Sequence, residues 1–218
     1  MNLSFTEENY LKAIFHLNYP INENVGTNAI SEALNTKAAS VTDMLKKLAE
    51  KELINYEKYQ GVSLTDFGQK KAITIVRKHR LWEVFLVDKL NFKWDEVHDI
   101  AEELEHINSE TLINRLEAFL DFPKRDPHGD PIPDKDGVIR SQELIPVSKL
   151  KVGDSGVISG VKEHSADFLK YLEKTGLILG ETLSVAEIVK FDSSVMVKIK
   201  KNQQMISREV AKNLLIAL

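Results

Sequence analysis

The chain has 218 residues, a formal net charge of −4 and no cysteine. It is long enough for one large or two to three small domains, and the lack of cysteine excludes disulfides, thiolate zinc sites and cysteine nucleophiles. No apolar run approaches the roughly 18 residues of a membrane span, and the start MNLSFTEENY lacks a basic, then apolar leader, so a cytoplasmic protein is expected.

Ser4-Phe5-Thr6-Glu7 reads as a capping box opening a helix whose apolar face carries Tyr10, Leu11, Ile14 and Leu17, and which ends before Pro20. A short helix follows from about Thr27 to Leu34. Asn35-Thr36 breaks the pattern, and a third helix runs from Lys37 to about Glu52 with Val41, Leu45 and Leu48 inward. Two helices joined by so short a turn form a helix-turn-helix. Leu53 to Glu57 then alternates like a strand, Tyr59-Gln60-Gly61 turns, and Val62-Ser63-Leu64 returns, which completes a winged helix.

Thr65-Asp66 caps a long helix to about Asn91. Another starts near Trp94 and ends at His106 or Ile107, and a third, capped by Ser109, stops before Pro123. The run PKRDPHGDPIPDKDG, with four prolines and two glycines, reads as a loop or linker. Beyond Leu144 short strands are expected at Gly153–Ile158, Thr182–Ile188 and Val195–Ile199, with a helix from Ala166 to Lys174 between them. The expected division is a winged helix over 1–72, a helical domain over 73–125, a linker over 126–145 and a small β-barrel-like domain over 146–218. The fold class is mainly α with small β parts.

Charge is segregated along this plan. From Lys37 to Arg80 there are ten Lys/Arg against five Asp/Glu, whereas from Lys93 to Gly137 there are five against thirteen. A basic head followed by an acidic body suits DNA binding joined to cation binding. In the body, His79 and Glu83 stand four apart, and His98, Glu102, Glu105 and His106 follow within nine residues. At about 100° per residue the second group falls near 0°, 40°, −20° and 80°, one polar stripe. Such a stripe is costly to bury unless a cation binds it, and a divalent metal takes deprotonated carboxylate and neutral imidazole ligands. The bland alternative is a solvated charged face.

In the head, the third helix presents Lys37, Ala38, Ala39, Ser40, Thr42 and Asp43 away from its apolar face, with Thr27 opening the helix before it. Small residues let a helix N-terminus approach base edges, and alanine or threonine methyls contact thymine methyls. Ser40 and Thr42 suit phosphate contacts, and Lys46, Lys47 and the wing's Lys58, with Tyr56 and Tyr59, suit the DNA backbone. A winged helix used for protein contacts is the alternative.

Along nearly its whole length the chain resembles the iron- and manganese-dependent repressors typified by the diphtheria toxin repressor and the manganese transport regulator. The resemblance rests on EENYLKAIFHL, SVTDMLKKLAEKELINYEKYQGVSLTDFGQ, RKHRLWEVFL, VHDIAEELEHINS and GDPIPDKDG. It implies a helical dimerisation domain, an SH3-like C-terminal domain related to iron-uptake accessory proteins, and two metal sites per subunit. A regulatory site would use Asn9, Glu102, Glu105 and His106. An ancillary site would use His79, Glu83 and His98, completed by His164 and Asp167. His16 and His128 fall off these positions, as an ordinary helix residue and a loop residue. Asn9 stands where relatives have methionine or aspartate, Lys12 where two-domain manganese regulators have a glutamate ligand, and Glu102 where the iron-responsive branch often has cysteine.

Oxygen and imidazole donors without sulfur suit Mn²⁺, with Fe²⁺ second. The expected protein is a non-enzymatic homodimer that binds a palindromic double-stranded operator when metal-loaded and represses metal-uptake genes, with no membrane and no small-molecule substrate. The rival readings are a dimetal enzyme using the His/Glu face and a metal chaperone or transport accessory that does not bind DNA.

Overall fold

The computed structural model describes residues 3–19, 23–57 and 60–218. Pro20, Lys58 and Tyr59, to which the sequence assigns a helix stop and wing contacts, lie outside these residues. The chain divides into two compact units: Met1–His79, Glu102–Asn114 and Pro133–Val138 in the first, and Arg80–Ala101, Arg115–Ile132 and Ile139–Leu218 in the second.

The first unit opens with α1 (Phe5–Asn18), whose capping box is formed in full: Ser4 accepts from the Glu7 amide and the Glu7 carboxylate accepts from the Ser4 amide. Helices α2 (Thr27–Ala33) and α3 (Ala38–Glu50) follow. The turn between them passes through Asn35 at φ 45°, the left-handed region that asparagine tolerates better than most residues. Val41, Leu45 and Leu48 of α3 are fully buried with Ile30, Leu11 and Ile14, the three-helix core that the apolar spacing predicts. Strands β1 (Ile54–Glu57) and β2 (Gly61–Leu64) pair antiparallel to make the wing. At Gly68 any Cβ would meet the Leu53 carbonyl oxygen at 1.8 Å, so a glycine lets the next helix lie against the end of the wing.

That helix is α4 (Asp66–Leu90), followed by α5 (His98–Leu104) and α6 (Glu110–Phe119). Helix α5 is shorter than the sequence suggests. Residues 94–97 form a turn closed by the Glu96 amide on the Lys93 carbonyl and the Glu96 carboxylate on the Lys93 amide. Glu105 and His106 lie in the turn after the helix.

The second unit contains a six-stranded sheet of order β3-β8-β4-β5-β6-β7. Its strands are β3 (Ile145–Pro146), β4 (Ser155–Val161), β5 (Thr182–Ile188), β6 (Val195–Ile199), β7 (Asn202–Ile206) and β8 (Leu214–Ala217). Helix α7 (Ala166–Thr175) buries Leu169 and Leu172 against it and stops at Gly176, φ 72°. Helix α8 (Arg208–Asn213) is capped by Ser207. β5 and β6 fall where the alternation predicts; β3, β7, α8 and β8 are additional.

Part of the expected linker is a built loop. The Asp126 carboxylate accepts from the amides of His128 and Asp130, and the Asp126 amide donates to the Asp130 carbonyl. Gly129, at φ 92°, passes so close to β4 that a Cβ would sit 2.2 Å from the Ser159 carbonyl oxygen. The Val161 amide of β4 donates to the His128 carbonyl.

Candidate metal centres and nucleic-acid interface

In the first unit, α1 carries Phe5, Glu8, Asn9 and Lys12 at i, i+3, i+4 and i+7, a single stripe. Glu102 of α5 and the Glu105-His106 turn supply the other half of the cluster. His106 Nδ1 lies 2.6 Å from Glu8 Oε2 and its ring stacks on Phe5 at 4.3 Å between centroids. An Nδ1–H donating to Glu8 would leave the Nε2 lone pair for a ligand bond, the usual way a carboxylate orients a metal-binding imidazole. Lys12 Nζ bonds to Glu102 Oε1 and lies 2.7 Å from Glu105 Oε2. Glu105 is fully buried, and the same Oε2 is 2.7 Å from His79 Nδ1.

Among the described residues, two acceptors here have no donor. Asn9 Oδ1 and Glu105 Oε1 are buried without a hydrogen-bond partner. A buried acceptor left unsatisfied costs about 1–3 kcal/mol, more when charged, and a cation meets that need. The residues present therefore fit a divalent metal. Asn9, Glu102, Glu105 and His106, the regulatory set, all fall in this one unit, and His79 joins them through Glu105.

The second unit holds another cluster. Glu83 of α4 is 2 % exposed, and its Oε2 lies 3.6 Å from His128 Nδ1. Ligand atoms of Glu83, Asp126 and His128 lie within 4.8 Å of one another. His98 Nδ1 is 3.7 Å from Glu83 Oε1, and the His164 ring stacks on His128 at 4.8 Å. Arg80 pairs with Asp126 at 3.5 Å and with Asp130 at 3.3 Å. His128 Nε2 donates to the Trp94 carbonyl at 2.8 Å, so Nδ1 is the nitrogen turned toward Glu83.

Protonation follows from this crowding. Burial pushes the Asp126 carboxyl well up, reinforced by Glu83 and Asp130 and opposed by Arg80 and His128. Burial pulls His128 down, but Glu83 and Asp126 outweigh it and raise the imidazole to about 9. His164 is lowered, by burial first, against the pull of Asp130. Protons and Arg80 are holding together carboxylates that a divalent ion would also hold.

His128, expected to be an ordinary loop residue, is 1 % exposed at the centre of this cluster. The Asp126 turn and the tight passage at Gly129 turn it inward. Asp167 is exposed on the first turn of α7, and no described contact links it to the cluster, whereas His164, just before the α7 cap, reaches it. Asp126, His128, Asp130 and Glu8 are the residues that sequence reasoning passed over. The signal for the first three was an Asp-x-His-x-Asp spacing inside a proline-rich run, and for Glu8 its place one turn before Lys12.

Around the first turns of α3 and along its outer side, Lys37, Ala38, Ala39, Ser40, Asp43, Lys46 and Lys47 are exposed, while Thr42, and Thr27 of α2, are half-buried. Thr42 Oγ1 donates to the Ala38 carbonyl, and Lys46 lies 3.4 Å from Asp43. Small residues at the helix start and cations further along give a surface that a groove edge accommodates.

A winged helix combined with buried carboxylate–imidazole clusters defines a metal-responsive DNA-binding regulator. Family models match in chain order: the iron-dependent repressor N-terminal DNA-binding domain over residues 2–62, the iron-dependent repressor metal-binding and dimerisation domain over 65–134, and the FeoA domain over 145–218. The iron-dependent repressor IdeR of Mycobacterium leprae is 29 % identical over 196 residues, 83 % of each chain. A solved manganese-dependent transcriptional repressor in complex with manganese is 33 % identical with a TM-score of 0.88, covering 96 % of this chain and 98 % of that one. ScaR with bound Cd²⁺ is 31 % identical with a TM-score of 0.81, covering 97 % and 98 %. The chain belongs to the iron-dependent repressor family: it is a metal-dependent transcriptional repressor and not an enzyme.

Proposed function

We propose that the protein is a homodimeric repressor that responds to Mn²⁺, with Fe²⁺ the alternative, and shuts off metal-uptake genes by binding a palindromic operator when two metal ions per subunit are loaded. The carrying observation is the pair of buried, partnerless acceptors, Asn9 Oδ1 and Glu105 Oε1, one on the first helix of the winged-helix head and one beyond α5. An ion held by Asn9, Glu102, Glu105 and His106 ties α1 to that segment. The second ion belongs to Glu83, Asp126, His128 and His164, with His98 at its edge. A bound ion supplies charge that replaces the protons and ion pairs now compensating the carboxylates. Oxygen and nitrogen donors alone favour Mn²⁺ and Fe²⁺ over softer ions.

A two-fold dimer must present its two α3 helices about 34 Å apart, or a multiple of it, to read a palindrome. Restraining α1 raises the population of the competent spacing, and operator affinity rises by the same factor. Phe119 and Phe122, 63 % and 53 % exposed, supply apolar surface suited to the dimer contact. No described helix is long and apolar enough to cross a membrane, and a cytoplasmic site of action fits this role.

Fluorescence anisotropy of labelled palindromic promoter DNA tests the proposal, with chelator-treated protein titrated by Mn²⁺ and by anaerobic Fe²⁺ at fixed salt. Tight, salt-sensitive binding that appears only with metal is expected. Binding indifferent to metal, or none under any condition, overturns it.

A further inference from the structure

Lys12 is a cation inside a site built for a cation. It projects from α1 one turn after Glu8, its side chain is 11 % exposed, and its ammonium holds one oxygen each of Glu102 and Glu105. Lysine ammonium only donates, so it cannot join a metal's ligand sphere while charged. Nor does it saturate the cluster: Glu105 Oε1 and Asn9 Oδ1 stay unpartnered beside it. The carboxylates are thus compensated by one tethered positive charge, with acceptor capacity left over for a stronger one.

We propose that Lys12 is an internal counter-cation that occupies the Glu102–Glu105 pair when metal is scarce and sets the metal concentration at which the site loads. The proposal rests on reading Glu102 and Glu105 as metal ligands. A divalent ion entering here takes the carboxylate oxygens from Lys12 or shares them with it. In both cases the ammonium stays close, because α1 is anchored by Tyr10, Leu11, Ile14 and Phe15 in the core, and like charges at that range oppose loading. Lys12 therefore weakens metal binding while stabilising the metal-free cluster. Lys12 is a single flexible side chain reaching this pair, so its contact restrains α1 less than an ion shared by Asn9, Glu102, Glu105 and His106, and loading adds restraint as it exchanges one cation for another.

The test uses the full-length, chelator-treated protein as wild type, Lys12→Met, Lys12→Arg and Glu105→Ala, titrated with Mn²⁺ by calorimetry and melted with and without Mn²⁺. In Lys12→Met the regulatory site should bind Mn²⁺ roughly tenfold or more tighter, within the range of ordinary intersite coupling. Its metal-free Tm should fall and its Mn²⁺-induced rise in Tm should grow, while Lys12→Arg stays near wild type. A lysine of merely structural importance would lower the Tm without tightening the metal. Unchanged or weaker Mn²⁺ affinity in Lys12→Met, with Glu105→Ala still losing one ion per subunit, overturns the role of Lys12 alone. Full Mn²⁺ stoichiometry in Glu105→Ala overturns the site reading and this proposal with it. Should Lys12→Met not fold without metal, Lys12→Gln carries the same expectation.

Discussion

Replacing Glu105 by glutamine removes one charge while keeping the shape of a fully buried side chain. In the metal-free protein the consequences largely offset. Two charge-assisted contacts, from Lys12 at 2.7 Å and His79 at 2.7 Å, become weaker, at about 1.5–3 kcal/mol each at most. Against that, a carboxylate no longer has to be desolvated, a relief of several kcal/mol, and Lys12 keeps Glu102. The net change in metal-free stability should stay near 1 kcal/mol. With metal the arithmetic differs. Free Mn²⁺ at 100 times its Kd stabilises a one-site protein by about 2.7 kcal/mol, and a ligand loss that weakens Kd about 100-fold leaves about 0.4 kcal/mol. At roughly 2–4 °C per kcal/mol for a chain of this size, the metal-induced rise in Tm shrinks from about 5–11 °C to about 1 °C. The assay is calorimetric melting with chelator and with Mn²⁺, in a His128→Gln background so that only the first cluster loads. A Glu105→Gln variant that keeps the full rise would refute Glu105 as a ligand and remove the main support for the mechanism.

Three further outcomes follow from named groups. His128, raised to about 9, carries a proton near pH 7.5 in the metal-free protein and must lose it to ligate. Mn²⁺ binding should therefore release protons and tighten as pH rises toward 9, as read by calorimetry in two buffers of different ionisation enthalpy; zero release refutes the ligand role. The sign reverses for metal-free stability: the raised imidazole contributes fully below the ordinary histidine range and loses its contribution as pH rises through about 9. Burial pushes Glu7 up, but Lys51 at 2.5 Å and the Ser4 amide outweigh it and leave the carboxyl below its ordinary value. Its stabilisation is present above the ordinary carboxylate range and lost as pH falls through the lowered value. Urea unfolding of wild type and Glu7→Gln should then show a gap at pH 7 that narrows as pH falls below the ordinary carboxylate range, and a constant gap contradicts the assignment. Lys37→Ala, at the exposed start of α3, should weaken operator and non-operator DNA alike and reduce the slope of log K against log salt by about 0.9. A loss confined to operator would make Lys37 a base reader instead.

The winged helix was legible because each local signal agreed with the global one: a capping box, an αL-tolerant asparagine at the turn, and apolar spacing that buries Val41, Leu45 and Leu48. Strands β5 and β6 were legible for the same reason, since Val185, Val195 and Val197 alternate into the core. Strand β7 was not, because NQQMI has polar side chains at three of five positions and is a strand through pairing with β6. At the first cluster, helical period picked out Glu102, Glu105 and His106, although the last two lie in the turn that ends α5 and His98 belongs with Glu83 instead. At the second, helical spacing pointed to Glu83 and His98, which lie 3.7 Å apart, but not to the residues packed around them. Asp126 and His128 come from a proline-rich run without periodicity, and their burial depends on a side-chain-closed turn and the close passage at Gly129, neither of which is a hydrophobic pattern. Periodicity finds candidate ligands on helices and is blind to candidates on ordered loops.

Both clusters meet the same electrostatic requirement with the chain's own cations. Glu105 and Glu83, fully and almost fully buried, could not remain ionised alone. The first is held by Lys12, and the second sits with a raised His128 in a group that Arg80 joins through Asp126 and Asp130. On the proposed reading, metal loading in each unit would be an exchange of positive charge, and the free energy of binding the difference between what the ion gains and what the internal cation loses. That difference is smaller than the gross affinity of a carboxylate–imidazole site. A regulator needs it to be smaller, because a site that bound its ion with full strength would stay loaded at every cellular metal level and report none of them. On that reading the residues that weaken the sites are as much a part of the sensor as those that form them, and removing Lys12 would separate the two roles in a single measurement.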